Sequence, residues 1–204
     1  MSNKKVIFWD FDGVLINSNE IRDLGFRKAL SQYPQNEIDE LINFHQSNGG
    51  LSRYVKFKFF FENIRKEDLS DNVLKDLTSN FSLIMKDLLV DKNLLINETL
   101  QFIKNNFKKY NMHITSGSDQ DELRYLCEKL NINQYFLTIN GSPTPKTIIL
   151  KQIIEHHNYL YEDCLIIGDA INDYNAALDN KIDFFAYNNK DLDKLSTLKF
   201  NFYG

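Results

Sequence analysis

Two cysteines in 204 residues, Cys127 and Cys164, are too few and too far apart for a disulfide framework, and they lack the spacing of a metal site. They read as reduced, buried thiols of a cytoplasmic protein, with one disulfide between them as the alternative. No run of 18 apolar residues occurs, so no membrane span is expected. The opening "MSNKK" passes straight into a strand-like segment without the apolar stretch of a signal peptide. Net charge is only -4, which argues against a general electrostatic nucleic-acid binder and leaves open only a local basic patch. Glycine (8) and proline (3) are scarce, and the chain contains neither repeats nor a low-complexity linker.

What is present is apolar and aromatic. Hydrophobic residues make up 43% and aromatics 13% of the chain, enough to bury roughly 70–75% of the unfolded surface. "KVIFW" at 5–9 is a short run of strand formers, and residues 19–90 then read almost entirely as helix. Within "SRYVKFKFFFENIRKE", Phe57, Phe60, Phe61 and Ile64 recur at helical spacing, with Ser52 placed to cap the helix. From residue 97 the texture alternates: helix 97–109, strand 111–115, helix 119–130, strand 135–139, helix 146–157, strand 164–168, helix 172–179, strand 182–187. Alternation of this kind implies right-handed crossovers and a mainly parallel sheet covered by helices. The economical architecture is an α/β core with an all-helical block inserted after the first strand.

Four polar clusters follow four of the apolar runs. They are Asp10 and Asp12, then "TSGS" with Ser116, Gly117 and Ser118, then "GSPTPK" ending at Lys146, then "GDAIND" with Asp169 and Asp173. Ligands of open parallel sheets bind outside the carboxyl ends of the strands, so neighbouring runs bring all four clusters to one crevice. The centre so formed is acidic, flanked by a hydroxyl, a glycine amide and one lysine. It suits magnesium, a hard cation that takes oxygen ligands, together with phosphate. Asp10, Asp169 and Asp173 offer carboxylates, Lys146 and Ser116 can hold phosphate oxygens, and Gly117 lets a backbone amide approach closely.

"DFDGVL", "ITSGS", "GSPTPK" and "IIGDAINDYNAA", in that order, resemble the motifs of the haloacid dehalogenase-like superfamily, in its phosphatase branch. The resemblance implies a Rossmann-like core (1–15 and 96–204) with a helical cap (16–95). It makes Asp10 the nucleophile and Asp12 the acid and base. Asp10, Asp169 and the Asp12 backbone carbonyl become Mg2+ ligands, Asp173 binds the ion directly or through water, and Ser116 and Lys146 steady the transferring group. The second acid, which the superfamily's dehalogenases lack, favours phosphoryl transfer over carbon–halogen cleavage. The expectation is a cytoplasmic phosphatase of a small phosphorylated metabolite, a sugar phosphate or a phosphorylated small acid. It acts without nucleic acid or membrane, as a monomer or homodimer.

The chain departs from the pattern in two places. Asn17 stands where many relatives carry Asp, and Ser142, not lysine, precedes Pro143, so the lysine role falls to Lys146 with Lys151 as the fallback. In the inserted block, Arg53 is the candidate for reading a carboxylate, a second phosphate or sugar hydroxyls, with Lys56 behind it and His45 structural. His113 reads as a buried strand residue. The alternatives are a phosphomutase with the same four motifs, a phosphonate hydrolase using Lys56 as a Schiff base, and a non-catalytic binding protein on the same fold.

Overall fold

The computed structural model describes residues 4–202. Its centre is a strand buried on both faces, β1 (Val6–Trp9). Val6 and Phe8 pack into one apolar cluster while Ile7 and Trp9 pack into another, as the period of a strand requires. A central parallel strand covered by helices on both sides reads as a continuous apolar run for this reason. The other strands are β2 (Asn111–Asp119), β3 (Thr138–Ser142), β4 (Cys164–Gly168) and β5 (Asp183–Ala186). All pairings are parallel, in the order β3-β2-β1-β4-β5. The chain therefore builds outward from β1 through β2 to β3, then returns to the opposite side of β1 for β4 and β5. Connections leave β1 and β4 in opposite directions, which opens a crevice at their carboxyl ends.

Four helices lie between β1 and the next core helix: α1 (Asn19–Ala29), α2 (Gln35–Ser47), α3 (Arg53–Phe59) and α4 (Asp71–Leu88). They pack around buried Phe26, Phe57, Phe60 and Phe81, with ring centroids of Phe26 and Phe81 4.4 Å apart. Ser52 caps α3, its Oγ accepting from the Val55 N–H at 3.4 Å. Phe57, Phe60 and Phe61 are buried as their spacing predicts, although the helix widens into a π-helical turn over Phe60–Arg65. Phe59 stacks on Phe44 at 3.7 Å and 6°, which accounts for its place off the main face. The two strands of chain entering and leaving the block run side by side. Asn17 N–H donates to Leu94 O at 2.8 Å and Ile96 N–H to Leu15 O at 3.0 Å.

The core helices are α5 (Asn97–Asn106), α6 (Gln120–Lys129), α7 (Lys146–His156) and α8 (Ile171–Asn180). Two strands differ from the sequence reading by three residues or more at a boundary. The third strand is Thr138–Ser142 rather than 135–139, and Asn133–Tyr135 form a 3₁₀ turn. As the edge strand, β3 pairs only with β2, so its residues need not be apolar and hydropathy misplaces it. β2 runs on to Asp119 past the expected end at 115, with a register shift between Thr115 and Asp119. Phe200 and Phe202 pack on Phe102 at 5.1 and 5.7 Å, whereas Tyr203 lies outside the described residues. Cys127 and Cys164 are buried free thiols, and among the described residues no helix is long and apolar enough to cross a membrane.

His113 on β2 is fully buried, stacked on Phe8 and bonded to Thr138 Oγ1 (2.8 Å) and Tyr159 Oη (3.1 Å). Burial, helped by His157, pushes its pKa down to about 3. The unfolded chain binds this proton near 6.5 and the folded chain does not, so folding stability falls as pH drops through 6.5. Between pH 7.5 and pH 5 this one residue is expected to remove about 2 kcal/mol of stability. Denaturant titrations at the two pH values check it, with His113→Phe flattening the difference by that amount.

Candidate active site beneath the helical block

The carboxyl ends of β1 and β4 deliver three acids to one point. Asp10 follows β1, Asp169 follows β4, and Asp173 sits in the first turn of α8. One carboxylate oxygen from each lies within 4.8 Å of the others. Gly13 makes the close approach possible: its φ is +73°, and a Cβ there would stand 1.9 Å from Asp169 Oδ2. Asn189 ties down the loop after β4 by donating to Asp169 O at 2.7 Å.

Burial, then repulsion from Asp173, pushes Asp10 well above the usual carboxylate range, and the same two causes take Asp169 up to about 7. Lys146, the first residue of α7, relieves part of this. Its Nζ donates to Asp10 Oδ1 at 2.9 Å and to Asp173 Oδ1, while Asp173 Oδ2 accepts the Ala170 N–H at 3.0 Å. Burial acts to lower the lysine's pKa, but the two carboxylates outweigh it and hold the amine charged. Lys151 points elsewhere: it is exposed and faces Glu155. The cis Ser142–Pro143 bond and Pro145 lead the chain from β3 into α7 at Lys146.

Asp12 does not join the three acids through its side chain. Its carboxylate accepts from Ser18 Oγ (2.5 Å), Ser118 Oγ (2.7 Å) and Arg22 Nε (2.9 Å). Burial would raise its pKa, yet the Arg22 charge and these donors hold it down at about 2. Ser116 is buried, lines the same cavity, and accepts the Ser118 N–H at 3.0 Å. Gly117 lines it too, and touches the inserted block: a Cβ there would stand 2.2 Å from Gly50 O. Asn172 Nδ2 donates to Gly49 O at 2.5 Å, so the "NGG" loop closes over the crevice from both sides. The cavity measures about 450 Å³ and is lined by Asp10, Asp12, Asp169, Ser116–Ser118 and, from above, Arg22, His45, Arg53 and Lys56.

Arg53 lines the cavity but is already engaged. Its Nη1 lies 2.7 Å from Glu122 Oε2 and 2.6 Å from Ser82 Oγ, and the guanidinium sits 4.6 Å above Phe81. Arg22 reaches the other Glu122 oxygen at 2.5 Å and Ser118 Oγ at 2.7 Å. Ser18, Arg22 and Glu122 are absent from the sequence-based site, yet a signal exists for the two charged ones. Arg22 shares a helical face with Gly25, Phe26 and Ala29, and Glu122 precedes Leu123, Leu126 and Cys127 on a buried stripe. A charge on an apolar stripe is rarely buried without a partner.

The model of the haloacid dehalogenase-like hydrolase family matches residues 6–187. No curated protein sequence matches the chain. Among solved structures, a predicted phosphoglycolate phosphatase from Haemophilus somnus is similar at a TM-score of 0.72 and 17% identity, over 91% of this chain and 86% of that one. CbbY from Rhodobacter sphaeroides, crystallised as a mutant with xylulose-(1,5)bisphosphate, is similar at 0.73 and 14% identity, over 92% and 89%. A putative haloacid dehalogenase-like hydrolase from Bacteroides fragilis is similar at 0.70 and 17% identity, over 96% and 90%. At these identities the structural likeness speaks for the fold, and the family match extends over the segment from β1 to just past β5. With both in hand, the chain belongs to the haloacid dehalogenase-like hydrolases.

Proposed function

We propose that the protein is a phosphoric monoester hydrolase acting on a small phosphorylated metabolite with the help of Mg2+. The observation that carries this reading is the convergence of Asp10, Asp169 and Asp173, with Lys146 bonded to two of them, at the wall of a cavity that Asp10, Asp169, Ser116 and Gly117 line. Three converging carboxylates, two of them buried and two displaced upward in pKa, with Lys146 as their one cationic partner among the described residues, fit a hard divalent cation. Asp10, Asp169 and Asp173 would hold it, joined by the Asp12 backbone carbonyl as the family pattern implies. When bound it supplies positive charge against the acids and the phosphoryl oxygens.

The residues divide the work. An Asp10 oxygen attacks phosphorus as the ester P–O bond breaks, giving an aspartyl-phosphate. Lys146, the Ser116 hydroxyl and the Gly117 amide steady the phosphoryl oxygens. Asp12 passes a proton to the leaving oxygen and later takes one from the water that hydrolyses the intermediate. Asp12 is held as a carboxylate by Arg22, so its base role is prepared, and its acid role requires Arg22 to loosen. The helical block excludes bulk water during the reaction. Two similar structures, one described as a predicted phosphoglycolate phosphatase and one holding a sugar bisphosphate, support a phosphate ester as the substrate class. The reading goes with a cytoplasmic enzyme, a monomer or homodimer, that needs neither nucleic acid nor membrane.

A panel of phosphorylated metabolites and an aryl phosphate, each assayed for free phosphate with Mg2+ and with a chelator, tests the proposal. Release that depends on the cation is expected. No release from any compound overturns it.

A further inference from the structure

Opposite the three acids, the cavity roof holds a chain of three side chains that the chemistry above does not use. Lys56 is buried, and its Nζ lies 2.6 Å from His45 Nδ1. The other ring nitrogen, Nε2, lies 3.5 Å from Asp23 Oδ1. An amine donating to Nδ1 fixes the imidazole as the Nε2–H tautomer, which faces the Asp23 carboxylate. Phe26 packs against the ring at 4.9 Å and holds its orientation. Asp23, His45 and Lys56 all line the cavity, reached from α1, α2 and α3 respectively.

The three cations of the roof differ in how they are matched. Arg22 faces Asp12 and Glu122, and Arg53 faces Glu122. Lys56 has three donors but bonds only one neutral ring, and no carboxylate of the described residues pairs with it directly. A buried ammonium without an anion is costly, and an incoming anionic oxygen removes that cost. Burial takes the Lys56 pKa down to about 7, with Asp12 and Asp23 favouring the charged form and Arg22 and Arg53 opposing it.

We propose that Lys56, aligned by His45 and Asp23, is the specificity residue of the roof and receives an anionic oxygen on the leaving part of the substrate. The inference rests on the phosphatase reading, and it places a carboxylate or a second phosphate on the far side of the substrate from the scissile bond. Esters of uncharged alcohols leave Lys56 without its anion and are the poorer substrates.

The test compares kcat/KM for three esters: a phosphorylated hydroxy acid, a sugar bisphosphate and, as the control, a sugar monophosphate whose leaving alcohol carries no charge. In wild type one of the two anionic esters is preferred over the control, and which one separates carboxylate from phosphate. In Lys56→Met the preference ratio is expected to fall about 10- to 100-fold, the worth of one charge-assisted hydrogen bond, mainly through KM. An unchanged ratio, whether both activities drop together or neither does, overturns the inference while leaving the phosphatase reading intact. Failure of wild type on all three esters and on the wider panel instead overturns the phosphatase reading. Should Lys56→Met not fold, Asp23→Asn keeps the packing and loses only the outer charge of the chain. A several-fold fall in the same ratio supports the alignment, and no fall overturns it.

Discussion

Changing Asp10 to Asn will reduce phosphate release by about 10⁴-fold or more, the scale on which nucleophile replacements act. Without a divalent cation it will leave the fold at least as stable as wild type. The two effects share one cause. Asp10 is buried and repelled by Asp173 and Asp169, and only Lys146 works in the other direction. Its folded-state pKa lies above the unfolded value, so the ionised side chain subtracts stability, progressively as pH rises through that interval and fully above it. Asparagine has the same shape, still offers an oxygen to the Lys146 Nζ now 2.9 Å from Oδ1, and removes one of three converging charges. What it loses, on the proposed function, is the nucleophile and one cation ligand. Thermal unfolding at pH 7.5 is therefore expected to show Asp10→Asn equal to or above wild type in chelator, with wild type gaining more on addition of Mg2+. Activity surviving in the variant would assign the nucleophile elsewhere. A loss of stability in chelator would show the Asp10–Lys146 pair to be net stabilising.

How much of this was legible beforehand depends on the range of the interaction. Asp10, Asp169 and Lys146 each stand at the end of an apolar run or the start of the helix after one. Strand order then brings them together by a general rule of parallel sheets. β1 and β4, buried on both faces, were legible for the same reason, whereas the edge position of β3 removes the apolar signal and shifted it by three residues. The pairing of the roof's charges was not legible. Arg53 reads from sequence as a candidate for substrate contact; in the fold it lines the cavity and also faces Glu122 across the boundary between block and core. Nothing local to residue 53 carries that information, because the partner lies on a helix whose position is set by the sheet. Asp12 is a similar case: the motif places it, but its hold by Arg22 and Ser118 depends on how α1 and β2 meet.

That boundary is expected to carry a large stability effect of its own. Glu122 on α6 is fully buried and faces Arg22 of α1 at 2.5 Å and Arg53 of α3 at 2.7 Å, both of them nearly as deeply buried. Removing one member of such a group leaves charge buried without its counter-ion, which costs about 3–5 kcal/mol. For a chain of this length that corresponds to a fall in Tm of roughly 6–20 °C. Glu122→Gln is the variant to measure, since it keeps the volume of the side chain and deletes only its charge. Arg22 retains Asp12 in that variant, so the strain falls chiefly on Arg53, whose Nε already lacks a hydrogen-bond partner. A second substitution, Arg53→Met, should then recover most of the loss, because an apolar replacement of a buried ion pair is close to neutral. The same measurement reports on the block as a whole. The three charges meet only when the block is seated on the core, with Gly50 against Gly117 and Asn172 bonded to Gly49. A cost below about 1 kcal/mol, the scale of solvent-exposed ion pairs, would mean that water reaches Glu122 most of the time and that the free enzyme rests with its roof lifted. A cost in the full range means that the closed state is the resting state. Lifting the block then separates Glu122 from both arginines, so a Glu122 variant is expected to speed that opening and not the chemistry.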